Sequence, residues 1–111
     1  MCGGPLPRSV KRVLDKPNTA CHISIITGWE IVLKPKLGRT VSDFETAIVD
    51  MGATLLPIKV QHLNQLSQLP LGDHRDPFDR MLIAQALAED LTIVTSDSRF
   101  AGYKRLHVLW D

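Results

Sequence analysis

Carboxylates recur in this chain where a helix starts and where a strand ends. Asp76 and Asp79 lie in Asp73-His-Arg-Asp-Pro-Phe-Asp-Arg-Met-Leu-Ile-Ala-Gln-Ala-Leu87, at the head of an apolar-faced helix. Asp97 closes Leu91-Thr-Ile-Val-Thr-Ser-Asp97, just past a short Val/Ile run, and Glu30 follows Trp29. Acids so placed can converge on one cation. Mg2+ and Mn2+ take oxygen ligands in octahedral geometry, keep several waters and use one or a few carboxylates. Held by Asp79, Asp97 and Glu30, such an ion can polarise a phosphoryl oxygen and lower the pKa of an attacking water.

Each acid also has an ordinary structural reading. Asp76 fits an N-cap, Pro77 fits N1, and Asp79 fits N3, where a carboxylate complements the helix dipole. Asp97 can be a strand-end turn residue bonded to its own backbone. Glu30, read as lying in the first turn of its helix, has a dipole role of the same kind. Position alone leaves both readings open.

The elements that must carry these acids follow from periodicity and punctuation. Met1 to Leu6 read as a loose leader, and a helix from Pro7 to about Asp15 buries Val10, Val13 and Leu14. Lys16-Pro-Asn-Thr19 ends it. Ala20 to Ile26 is a β-branched strand. A helix from Thr27 carries Trp29, Leu33 and Leu37 at helical spacing towards Gly38 as C-cap, and Pro35 should kink or end it early. Ser42, with Glu45 three residues on, caps the next helix, which presents Phe44, Ile48, Val49 and Met51.

Thr54 to Ile58 is a short strand. A helix over Lys59 to Gln68 follows, with Val60, Leu63 and Leu66 inward, then a loop at Leu69-Pro-Leu-Gly72. The helix from Pro77 to Glu89 precedes a strand over 91–95, a turn near Ser98 to Gly102 and a last strand, Leu106 to Trp110. Strands alternating with helices imply an α/β fold with a mostly parallel sheet covered by helices. In such folds sites form beyond the carboxyl ends of the strands.

At 111 residues this is one small domain, expected over 7–111, with apolar residues at 44% and charged ones at 23%. A net charge of +1 provides no bulk field for nucleic acid, so any such contact rests on a local patch. Cys2 and Cys21 match no zinc-ligand spacing. With no secretory signal expected, they read as reduced thiols in a cytoplasm. No apolar run approaches the ~20 residues of a membrane helix.

The segment His74-Arg-Asp-Pro-Phe-Asp-Arg-Met-Leu-Ile-Ala-Gln-Ala-Leu87 resembles the signature of PIN-domain ribonucleases, specifically VapC-type toxins of bacterial toxin–antitoxin pairs. So do Thr92-Ile-Val-Thr-Ser-Asp-Ser-Arg-Phe100 and the closing Val108-Leu-Trp110. Ser24-Ile-Ile-Thr-Gly-Trp-Glu-Ile-Val-Leu-Lys-Pro-Lys-Leu-Gly-Arg39 is similar to the family's Ser-x-x-Ser-Ile-Trp-Glu-Ile helix. The likeness runs in order from about Leu6 to Trp110.

The resemblance implies a three-layer PIN-like domain and a metal-dependent endoribonuclease using Mg2+ or Mn2+. By motif position it assigns Glu30, Asp79 and Asp97 to the metal, with Asp76 as a cap supporting the site. It gives Thr95 and Ser96 to the loop or a metal-bound water, and Arg75 and Arg80 to phosphate, although solvated surface is an equal reading for each arginine. The implied partners are RNA, a cognate antitoxin and a second copy in a homodimer. A PIN-like module that keeps antitoxin or self-association binding but cleaves poorly is the alternative.

The chain departs from the family pattern in two places. Family members open on a central strand of the type Leu-Leu-Asp-Thr-His that supplies the first metal aspartate. No such strand is seen, and Asp15 belongs to a helix-and-turn that matches later family sequence. A truncated or mis-started copy is therefore expected, one that folds by rearrangement, pairing with another chain or partial disorder. Secondly, Gly28 and Pro35 stand where helix formers are usual.

Overall fold

The structure is a computed structural model, and it describes residues 12, 13, 15, 16, 19–70, 76–95, 100, 103 and 105–109. The leader expected over 1–6 lies outside these. So does most of the opening helix, of which Arg12 and Val13 are seen in helical conformation. The elements are β1 (His22–Ser24), α1 (Ile25–Leu33), a 3-10 turn (Pro35–Leu37), α2 (Val41–Asp50), β2 (Thr54–Leu56), α3 (Val60–Ser67), α4 (Pro77–Glu89), β3 (Thr92–Val94) and β4 (His107–Leu109). The strands pair in parallel, as the alternation of strands and helices predicts, in two two-stranded sheets, β1 with β2 and β3 with β4.

Two compact units are formed, one by Ala20–Ile58 and one by the chain from Lys59 onward together with the residues before Ala20. Each has its own core. In the first, Ile23, Ile31 and Phe44 are buried against Ile48 and Ala53. In the second, Leu69, Ile83, Phe100 and Tyr103 are buried, with Leu66, Leu87, Ile93, Leu106 and Val108 packed on them. A fully buried Ile such as Ile83 contributes about 1.5–3 kcal/mol relative to leaving it in water.

Within the first unit, Ser24 redraws the expected boundary. Its hydroxyl accepts from the Ile26 N–H at 3.1 Å, so the strand stops at Ser24 and the helix starts at Ile25. Ile25 and Ile26, read as strand because they are β-branched, form the first turn of α1. A local cap outweighs a propensity difference of a few tenths of a kcal/mol per residue. The helix ends at Leu33 as Pro35 predicts, and the proline then serves as the first residue of the 3-10 turn. Gly38 closes that turn at φ 68°, the left-handed conformation that glycine adopts without strain.

The buried face of α1 differs from the expected one. Trp29, Leu33 and Leu37 are each more than half exposed, whereas Ile26, Gly28 and Ile31 are buried. A helix with apolar residues on all sides has no polar face from which periodicity can choose. Gly28 decides the matter, because a Cβ there would lie 2.8 Å from Cε2 of the Phe44 ring. The glycine lets α2 approach closely, which explains its presence where a helix former is usual.

In α2 the cap is Thr40 rather than Ser42. Thr40 Oγ1 accepts from the Asp43 N–H at 3.1 Å and Asp43 Oδ2 accepts from the Thr40 N–H at 2.8 Å, a complete capping box. Both Thr40-x-x-Asp43 and Ser42-x-x-Glu45 fit the pattern, and the earlier start adds helical hydrogen bonds, such as Phe44 N–H to the Thr40 carbonyl. Phe44 is buried as expected, but Val49 and Met51 are exposed. In α3 the inward residue is His62, fully buried, with Leu66 and Leu69 following on the same face. Val60 and Leu63 lie in solvent.

Candidate functional site

The helix α4 begins as the residues dictate. Asp76 takes extended backbone angles and its Oδ1 accepts from the Phe78 N–H at 2.8 Å. Pro77 occupies the first helical position, where a missing N–H costs nothing. The Asp76 carbonyl accepts the first helical bond from the Arg80 N–H at 3.0 Å. Asp79 is the acid of the first turn and is partly exposed. Cap and candidate ligand thus divide between the two acids: the Asp76 side chain makes the helix start, and that start fixes where Asp79 projects.

Arg80 carries the next contact. Its guanidinium donates to the Pro70 carbonyl at 2.8 Å and to the Leu69 carbonyl at 3.1 Å. Those carbonyls lie just past the end of α3, where a helix presents partial negative charge. At the other end of α4, Glu89 faces the start of α3. One carboxylate oxygen, Oε1, accepts from Gln61 at 2.6 Å and Lys59 Nζ at 3.3 Å, and lies 3.0 Å from His62 Nε2.

The His62 ring is fully accounted for. Nδ1 accepts from the Lys59 backbone N–H at 3.0 Å, which leaves Nε2 as the N–H that donates to Glu89. The hydrogen bond from His62, and after it that from Lys59, holds the Glu89 carboxyl below the ordinary carboxylate range. Neither this cluster nor the Arg80 contacts leave a local sequence signal, since the partners come together only when α3 and α4 pack.

Asp90, at φ 54°, ends α4 in the left-handed conformation, and its N–H donates to the Ala86 carbonyl. Leu91 N–H also reaches the Ala86 carbonyl, at 2.8 Å, and β3 starts at once. Helix and strand therefore form a tight turn over a shared core. Thr95 follows the carboxyl end of β3. Asp97 and Ser96, next in sequence, lie outside the described residues, as does Arg75.

Glu30 belongs to the first unit. It is the sixth residue of α1, not a first-turn residue, so the dipole reading loses its basis. Its Oε2 pairs with Lys34 Nζ at 2.7 Å, one turn on. Among the described residues no group of three His, Cys, Asp or Glu side chains is gathered closely enough to hold a metal. The acids of the motif nonetheless supply carboxylate oxygen, the donor that a hard dication selects.

A family model, PIN domain, matches residues 2–106. The chain belongs to the PIN-domain family. Solved structures similar to this PIN domain include VapBC2 from Rickettsia felis bound to a DNA fragment from their promoter. There the TM-score is 0.72 at 17% identity, covering 92% of this chain and 82% of that one. DNA-bound VapBC from Salmonella typhimurium is also similar, with a TM-score of 0.66 at 18% identity, over 93% of this chain and 84% of that one. At such identities the likeness bears on the fold. No curated protein matches by sequence. Among the described residues of this PIN domain, no helix is long and apolar enough to cross a membrane.

Proposed function

We propose that this PIN domain is the toxin of a VapBC-type pair, a cytoplasmic endoribonuclease that hydrolyses RNA phosphodiesters with Mg2+ or Mn2+. The observation that carries the reading is the Asp76-Pro-Phe-Asp79 helix start. The Asp76 side chain caps the helix through the Phe78 N–H, and Asp79 is the acid of its first turn. In the reading, Asp79, Asp97 and Glu30 hold the cation. For Glu30 this means exchanging the Lys34 ammonium for the metal. The bound cation supplies Lewis acidity towards the phosphoryl oxygen and towards water. Thr95 and Ser96 steady the loop after β3, and Arg75 meets a phosphate. A cognate antitoxin and a second copy of the chain are the partners, a reading supported by family membership and by the VapBC complexes of like fold.

The test is cleavage of a structured RNA with Mn2+, comparing the natural chain with Asp79→Asn and Asp97→Asn. Activity in the natural chain and its loss in both variants supports the reading. Equal, negligible activity in all three sinks it. Metal alone gives a second measure, because a ligand that binds only the folded state raises stability by mass action, about 2.7 kcal/mol at 100 times its Kd.

A further inference from the structure

We infer that Arg80 is a positioning residue for Asp79, not a phosphate contact, an inference that rests on the metal-site reading above. Successive residues of a helix point about 100° apart, so Asp79 and Arg80 project on either side of the direction taken by Ile83 one turn on. Ile83 is fully buried in the core that also holds Leu69. The Leu69 side chain is thus pinned by apolar packing, and its carbonyl, with that of Pro70, takes the two guanidinium bonds at 3.1 and 2.8 Å.

The consequence is rotational. Packing at Ile83 sets how far α4 stands from α3, but a round apolar contact tolerates a small roll about the helix axis. A roll that carried Asp79 towards or away from a cation would pull the Arg80 fork off both carbonyls. Two bonds from one rigid plane to two successive main-chain acceptors, the first on the buried Leu69, therefore set the angle of the first turn, and with it the direction of the Asp79 carboxylate. Lysine can satisfy one carbonyl with its point charge, but it cannot span two with a fixed geometry. Two of the guanidinium N–H donors are thereby directed at main-chain carbonyls, one in an exposed and one in a part-buried contact.

The experiment uses the full chain and MnCl2 alone, with calorimetric titration for affinity and thermal melting for stability. Arg80→Lys is compared with Glu89→Gln, which loosens the far end of the same helix pair, and with Asp79→Asn. The expected result is that Arg80→Lys weakens Mn2+ binding about tenfold, as loss of a residue that orients a metal ligand does, while Glu89→Gln leaves the Kd within about twofold at a similar loss of Tm. Unchanged Mn2+ affinity in Arg80→Lys overturns the inference, and if its KM for RNA also rises, phosphate contact replaces it. Equal affinity losses in Arg80→Lys and Glu89→Gln likewise overturn it, because a merely structural role moves both. Failure of the underlying reading looks different: the natural chain and Asp79→Asn bind Mn2+ equally or not at all, and the inference falls with it.

Discussion

Arg80 and Glu89, about two and a half turns apart on α4, stand at opposite ends of α3. The cation donates to the carbonyls just beyond the C-terminus of α3, and the anion accepts from side chains of its first turn and of its N-cap residue. α3 itself has no acid in its first turn and no base in its last. Its neighbour supplies both charges, each with the sign that the helix dipole favours. Hydrophobic packing brings the two helices together, and these two contacts fix them antiparallel and in register.

Glu89 makes acid stability the first point to check. Its folded pKa lies below the ordinary value of 4.5, so the unfolded chain takes up a proton at a higher pH than the folded one. The stabilisation is fully present above that ordinary value and is lost as pH falls through the lowered folded value. Melting temperature against pH should therefore fall less steeply below about 4.5 in Glu89→Gln than in the natural chain. Parallel curves would show that the Oε1 cluster contributes nothing to pH dependence.

Asp76 and Asp79 should respond differently to amidation. Asparagine caps a helix about as well as aspartate, so Asp76→Asn is expected to hold stability within about 0.5 kcal/mol, whereas Asp76→Ala loses about 1 kcal/mol. Chemical denaturation measures both. Under the proposed reading, Asp76→Asn still shows Mn2+-dependent stabilisation and Asp79→Asn does not. The reverse pattern would exchange the roles of the two acids.

Gly28→Ala provides a test of packing with an informative sign. At an open helical position the change gains about 1 kcal/mol. Here the new methyl meets the buried Phe44 ring at 2.8 Å, and overpacking of that kind costs about 1–3 kcal/mol. A net loss is expected in the natural background, turning to a gain when Phe44→Leu removes the ring edge. Additivity of the two changes would mean that they do not touch.

The α2 cap separates two sequence matches directly. Thr40→Ala should cost about 1 kcal/mol, while Ser42→Ala, inside the helix, should change stability by less than about 0.5 kcal/mol. A larger loss at Ser42 would restore the later helix start.

Local chemistry explains what could be read in advance. The start of α4 is punctuated by Asp76-Pro77, and the helix spans Pro77–Glu89 as expected from the sequence. Pro35 and Gly38 likewise announce the break after α1. The inward faces of α1 and α3 were not legible, because apolar side chains surround α1 and because His62 is buried through bonds to Glu89 and to the Lys59 main chain. A polar residue is counted as outward by any periodicity argument, and its partner lies in the next helix. The candidate site divides in the same way. Its acids were recognised by motif, while the Arg80 contacts with Leu69 and Pro70 follow only from the packing of α3 against α4.

The His62 ring also makes that packing observable from outside. A ring that accepts through Nδ1 and donates through Nε2 is held in a single tautomer. Its two nitrogens then give well-separated resonances in a 15N spectrum, whereas a ring released to water averages both forms. One side chain thus serves as a spectroscopic gauge of helix docking, readable in any variant whether or not that variant binds metal or cuts RNA.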